Sequence, residues 1–404
     1  MKVVLDKVSV RKNRIDYNYT IDKDLQVFFD NNSPFFIEYL TDISFEDVPA
    51  SILSIPFVTN ILPLCWLQDF TIEVDELDEA FYNSIDEIKK GFMQIYPDVK
   101  VGGKVVANKI INNTYEPSDK TVCLFSGGVD ATFTYLRHRN EHPTIINVWG
   151  VDINFDDIKG HKEVDEYCNY FAEQFKTDYI CIKSTIRTFV DEAYLNKEMY
   201  KLLQDYWWHG AQHSIGLLSL LAPYDYLYKV KTNYIASSFT QKDFEDGVKS
   251  ITFPVVDNAL KIGSTKMCHD GFDNARIQKI EYICDVCMTE NRYIDLKVCF
   301  HYVNGKNCSA CEKCYRTIIA ILIYDTNLER YGFSIKSKNA KNIKYFLDCN
   351  EIGKFRWLPI QNAYNKNPKN KNIKWIKNYK FNNLSSFRSR VLRTLKKILN
   401  KKNF

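Results

Sequence analysis

Residues 121–130 read Thr-Val-Cys-Leu-Phe-Ser-Gly-Gly-Val-Asp. Positions 121–125 form a short apolar run of strand type, Ser126-Gly127-Gly128 breaks it, and 129–139 has helical character. A strand that feeds a glycine turn at a helix N-terminus aims backbone N–H groups and the positive end of a helix dipole at one point. Gly127 and Gly128 carry no Cβ, so a phosphate can approach the backbone closely. Ser126 adds a hydrogen-bond donor, and Asp130 suits a role in holding Mg2+ or positioning a nucleotide. This is the pattern of a triphosphate cradle, though not of the GxxxxGK[ST] kind, since no Lys-Ser/Thr follows. An ordinary Gly-rich turn in an α/β domain is the plain alternative.

Working outward, Cys299, Cys308, Cys311 and Cys314 have the spacing C-x8-C-x2-C-x2-C. Two successive C-x2-C steps can wrap a turn around one ion while a fourth thiolate closes the tetrahedron that Zn2+ prefers. Lys306 and Lys313 lie close enough in sequence to offset thiolate charge. Buried free cysteines are the alternative for such a group, and C-x2-C-x2-C also occurs among iron–sulfur ligands. Cys284 and Cys287 form a further pair that only Cys268 could join from upstream, so they are expected to be buried thiols.

The loop resembles the SGGxDS motif of the PP-loop ATP pyrophosphatases, which cleave ATP between the α and β phosphates. Ala131 stands where most members carry a second Ser, and Thr132 follows it with a hydroxyl. Loop and cysteines together, in this order, resemble the 7-cyano-7-deazaguanine synthase family of the queuosine pathway. The likeness covers roughly residues 119–325. The stretch from Cys308 to Thr317 also resembles a divergent branch found in anti-phage and other accessory gene clusters. The resemblance implies ATP held by Ser126, Gly127, Gly128, Val129, Asp130 and Thr132, with Val151 beside the adenosine and Ser126 and Asp130 acting in catalysis. It implies a carboxylate substrate activated by adenylation, then attacked by ammonia or by an amine of a partner protein. It also implies Mg2+ with the ATP and structural Zn2+ on the four cysteines. Sulfur transfer to tRNA and a non-catalytic nucleotide-binding subunit are the rival readings.

The expected fold is α/β: a doubly wound parallel sheet, Rossmann-like or HUP-like, over 119–330. A small α+β module is expected at 1–118, and a basic extension at 331–404. In the first segment, 3–21 alternates around Arg11-Lys12-Asn13-Arg14 as a hairpin does. Residues 74–96 have helical period through Leu77, Phe81, Ile85, Ile88 and Phe92, and 101–111 reads as a strand. The apolar run 50–67 is broken by Pro56, Asn60 and Pro63, which favours buried core over a membrane span. In the central segment, 145–151, 179–182 and 234–237 are strand-like, and 160–175 and 207–222 are helical. Such alternation predicts a parallel sheet with ligand at the carboxyl ends of its strands.

Charge is segregated. Residues 352–404 hold 15 of the 54 Lys and Arg and none of the 50 Asp and Glu, which leaves the rest of the chain with a balance of −11. Within that basic tail, 362–380 reads as a loosely ordered linker and 384–400 as an amphipathic helix. Such a helix suits an anionic membrane surface, nucleic acid, an acidic protein or the chain's own acidic body. Twelve cysteines without a signal peptide lead to the expectation of a reducing, cytoplasmic setting. A homodimer is compatible with these features.

The remaining candidates are single residues. His209 in Trp208-His209-Gly210 is expected to line the active cleft, with His213 on the same helix face. Ser237-Ser238 ends a strand at the edge that carries the cradle, so Ser238 is a candidate for substrate contact. Asp152 and Asp157 follow the second strand, near the expected adenosine. His269, Asp270 and Arg276 are expected to face substrate, and Arg276 and Arg316 to grip a carboxylate or phosphate.

Overall fold

Period-two alternation at the N-terminus and wholly apolar runs further on both yield strands, and these strands share one sheet. A computed structural model describes residues 1–299, 306–334, 339–350 and 352–381. Its strands are β1 (Lys2–Arg11), β2 (Arg14–Ile21), β3 (Phe36–Tyr39), β4 (Thr71–Asp78), β5 (Lys104–Ile111), β6 (Thr121–Leu124), β7 (Thr144–Trp149), β8 (Tyr179–Ser184), β9 (Thr232–Ala236), β10 (Lys261–Ile262) and β11 (Thr265–Asp270). They pair in the order β10-β11-β9-β6-β7-β8-β3-β2-β1-β4-β5. Six neighbouring pairs are parallel and four antiparallel. The protein is thus α/β with a large mixed, mostly parallel sheet.

Chain contacts divide the molecule into two compact units. The first is Met1–Ser126 with Thr134–Asp273, and the second is Gly127–Phe133 with the residues from Asn274 onward. This differs from the expected division at 118 and 330. Every described strand lies in the first unit, so the N-terminal segment is part of the main sheet instead of a separate module. The join is the antiparallel pairing of β3 with β8, with Ile37 opposite Ser184 and Tyr39 opposite Ile182.

Within that sheet the run β8-β7-β6-β9-β11 is parallel throughout. Numbered along the chain, it has the order 3-2-1-4-5, with the reversal beside β6. In doubly wound sheets ligands bind at such reversals, outside the carboxyl ends of the strands. All four residues of β6 are buried, as a central parallel strand requires.

The 3–21 hairpin forms as expected, with Lys12 at φ 53° in its turn. The helical reading of 74–96 needs correction at its start. Thr71–Asp78 is a strand, held between β1 and β5, and the helix is Glu79–Ile95. Asp78 ends the strand and caps the helix, accepting from the Phe81 N–H at 3.0 Å. Phe81, Ile85, Ile88, Phe92 and Ile95 form its buried face.

Ala50–Gln68 is the one described helical stretch long and apolar enough to cross a membrane, and 89% of its most apolar 18-residue window is buried inside the protein. Asn60 shows why it is core. Its amide donates to the Pro56 carbonyl at 2.8 Å, and its Oδ1 accepts from Gln212 at 3.0 Å.

In the second unit, Arg276–Thr289 packs on Glu312–Tyr324, which packs on Lys354–Lys366. The expectation of a loose linker at 362–380 does not hold. Lys354–Lys366 is helical and Lys371–Asn378 a 3-10 helix. The Gln361 amide donates to the carbonyls of Ile376 and Tyr379 at 2.6 and 2.9 Å. The amphipathic helix expected at 384–400 lies outside the described residues.

A Cβ on Gly91 would stand 2.2 Å from the Val255 carbonyl oxygen, in the contact between Glu79–Ile95 and the turn Pro254–Asp257. Gly91→Ala is therefore expected to destabilise by about 1–3 kcal/mol, read as a lowered melting temperature. An unchanged value would show that this helix is not held against 254–257.

Candidate functional site

The turn after β6 has the local geometry its residues dictate. Ser126 is exposed, Gly127 has φ +70°, and Val129–His138 is helical. An L side chain at position 127 would be strained, so glycine is favoured there. The Gly127 carbonyl accepts from the Lys297 N–H at 2.8 Å. Val129 is fully buried and anchors the first helical turn. Thr132 is also fully buried, and its hydroxyl has no hydrogen-bond partner among the described residues. It does not replace, at the surface of the loop, the hydroxyl that Ala131 lacks.

Asp130 is engaged by cations on both oxygens. Arg276 Nη1 lies 2.7 Å from Oδ2, and Lys279 Nζ lies 3.4 Å from Oδ1. Burial alone would raise the Asp130 carboxyl, but Arg276, Lys279 and Lys313 outweigh it and hold it below the usual carboxylate range. A carboxylate so neutralised is poorly suited to bind Mg2+, in contrast to the expectation from sequence.

Arg316 stands near the same charges. Burial pushes its guanidinium down to about 10 despite Glu312, and the charges of Arg276 and Arg356 act in the same direction. The Nε atoms of Arg276 and Arg316 are buried with no hydrogen-bond partner among the described residues. Cations that outnumber their carboxylates, with donors to spare, make a site for an anion. Lys279 was not singled out from sequence, yet its place three residues after Arg276 puts both on one helix face.

The four cysteines converge. Their sulfurs all lie within 4.8 Å of one another, with Cys299–Cys311 and Cys308–Cys314 each at 3.9 Å. Tetrahedral zinc with bonds of about 2.3 Å spaces its sulfurs about 3.8 Å apart, so the cluster could hold such an ion. Backbone N–H groups support the sulfurs. Cys308 Sγ accepts from Ala310 and Cys311, and Cys299 Sγ accepts from Cys308. Ser309 at φ 53° makes the tight turn, and Cys311 is the N-cap of helix Glu312–Tyr324. That helix end places positive dipole beside the thiolates. Burial, and then the neighbouring sulfurs, push the Cys314 thiol up; a divalent cation relieves that repulsion. Cys284 and Cys287 are instead separate buried thiols on helix Arg276–Thr289.

Other candidates fall elsewhere in the first unit. Val151 lines a cavity of about 640 Å³ together with Asp30, Gly150, Asn154, Arg187 and Glu192. Arg187 Nη1 donates to the Val151 carbonyl at 2.9 Å. Sequence did not reveal this cavity, because its walls come from three distant segments. Asp157 caps helix Ile158–Phe175, and Asp152 is exposed.

His209 sits in the π-helical turn Trp208–Gln212 and pairs with Asp205. His213 is held at 3.2 Å by the Thr252 hydroxyl. Ser238 is exposed after β9, whereas Ser237 is buried. Ser237 Oγ lies 2.7 Å from His269 Nε2, and His269 Nδ1 lies 2.7 Å from Asp257. That order matches a nucleophile relay, but the hydroxyl also donates to the Phe239 carbonyl and the serine is fully buried. The arrangement ties the sheet together and offers no nucleophile. His269 and Asp270, expected to face substrate, are both buried, and Asp270 accepts from the Thr134 hydroxyl.

Asp130 stabilises the folded chain above the ordinary carboxylate value of about 4, and that stabilisation is lost as pH falls through its lowered value. Asp130→Asn should therefore cost about 2 kcal/mol at neutral pH, with the gap in melting temperature from wild type closing in acid. A gap independent of pH would refute the ion pairs. Cys311→Ser should lose bound zinc and stability together; full zinc content at an unchanged melting temperature would refute the cluster. Comparison with protein-family models finds no match, nor does comparison with curated proteins, so the chemistry of these side chains is what bears on function.

Proposed function

We propose that this chain is an ATP-dependent ligase of the PP-loop kind, which adenylates a small carboxylate and passes the acyl group to an amine. The observation that carries the reading is the turn at Gly127, directly after the central strand and beside the reversal of strand order. The N–H groups at the start of helix Val129–His138 supply donors for phosphate oxygens.

Adenylation needs two things of the protein: alignment of a carboxylate with the α-phosphate, and neutralisation of charge on departing pyrophosphate. Arg276, Lys279 and Arg316 carry the chemistry for the second. Asp130 then serves as the counter-ion that positions Arg276 and Lys279 for the phosphates. Mg2+ would accompany ATP and screen the same charge. Four thiolates leave zinc no open position, so its role is structural. The substrate is a 7-carboxy-7-deazaguanine-like acid, with ammonia or a protein amine as acceptor.

A second reading has a specific observation in its favour. Asp130 is occupied by cations and Thr132 is buried, which suits a subunit that binds nucleotide without cleaving it.

Incubation with ATP, Mg2+ and 7-carboxy-7-deazaguanine, with and without ammonium, separates the two by mass spectrometry. AMP with an amide or nitrile product is expected, and Arg316→Gln should lower kcat/KM about tenfold or more. Bound ATP without AMP under either condition, and with candidate acceptor proteins added, would leave the second reading.

A further inference from the structure

We propose a second metal site in the first unit, formed by His161, Asp165 and Cys181, that takes a single Zn2+ ion. His161 and Asp165 are one helical turn apart on Ile158–Phe175, and Cys181 lies on β8. Their ligand atoms all lie within 4.8 Å of one another. Zinc draws nitrogen, oxygen and sulfur donors to about 2.0–2.3 Å, which sets them about 3.3–3.5 Å apart, so these atoms need to close by up to about 1.5 Å. Rotation of the half-buried Asp165 side chain supplies most of that movement.

Three features separate this group from a chance meeting of polar side chains. The His161 ring is oriented without hydrogen bonds among the described residues: it stacks on Trp149 at 3.8 Å and 5°. That packing fixes the ring plane and leaves its nitrogens available. Asp165 is steadied by the Asn169 amide at 3.3 Å, the kind of outer contact that orients a metal-bound carboxylate. The Tyr179 hydroxyl is buried and stands against both Asp165 and Cys181, within their hydrogen-bonding environment. A neutral thiol is a weak acceptor for that O–H; a metal-bound thiolate is a good one. Binding thus strengthens the tie between Tyr179 and Cys181, and the thiol proton leaves to solvent.

The donor set also selects the ion. One thiolate and one carboxylate balance a divalent charge, which matters beside Lys183, whose ammonium lies 4.8 Å from the Trp149 ring. Mixed N, O and S ligation favours zinc over magnesium or calcium. Three protein ligands leave a fourth position for water, unlike the four-cysteine cluster.

The test is zinc per chain, measured by elemental analysis after loading the full-length protein with zinc sulfate and desalting. His161→Phe keeps a ring to stack on Trp149 and removes both nitrogens. It should bind one zinc fewer than wild type, and the two proteins stripped of zinc should melt at the same temperature. Asp165→Asn should weaken the same site at least tenfold in a zinc titration. Equal zinc content in wild type and His161→Phe would overturn the site, as would zinc affinity unaffected by Asp165→Asn.

Discussion

The short antiparallel seam between β3 and β8 is the constraint on which the first unit rests. Three residues of each strand pair there, and Leu40 extends the seam by donating its N–H to the Cys181 carbonyl at 2.8 Å. Without it the sheet would present two open edges, each a row of unpaired backbone groups prone to association. Ile37, Tyr39 and Ile182, all without solvent exposure, would lose their cover. The Tyr39 hydroxyl adds a tie from this seam to the Leu220 carbonyl at 2.7 Å. The parallel strands that carry the β6 turn are therefore one part of a continuous sheet that begins at the N-terminus.

Charge organises the second unit in a comparable way. Asp130 is the anion around which Arg276 and Lys279 gather, and Lys279 is almost fully buried. Burying a lysine is costly unless it is paired. The cysteine cluster bears on the same region through one helix. Cys311 caps Glu312–Tyr324, Cys314 lies in its first turn, and Arg316 follows within the next two residues. An ion in the cluster would fix the start of that helix and with it the arginine. Trp357 reinforces the position by donating its indole N–H to Glu312 at 3.0 Å.

Residues with local meaning were legible in sequence, and residues with distant partners were not. The hairpin around Lys12, the strand at 121–124 and the convergence of four closely spaced cysteines follow from neighbours along the chain. Residues 71–78 show the limit. Thr-Ile-Glu-Val-Asp-Glu-Leu-Asp carries apolar residues at spacings that suit a helix as well as a strand, and its pairing with β1 and β5 decides. At 362–380 composition misled, since many Asn and Lys residues read as solvent-facing linker. Gln361 bonded to two later carbonyls, and Asn370 bonded to the Leu322 carbonyl at 3.0 Å, hold that segment in place.

By itself the sequence determined the glycine turn, its helix and the cysteine spacing, because backbone conformation and ligand geometry there depend on residues a few positions apart. Only the tertiary structure decided that Asp130 faces two cations, that Ser237 and His269 are sealed inside, and that a cavity opens beside Val151. Asp130 and Arg276 are separated by 146 positions, and Ser237 and His269 by 32. Burial and ion pairing between such residues are set by which strands and helices become neighbours, and no local pattern encodes that choice.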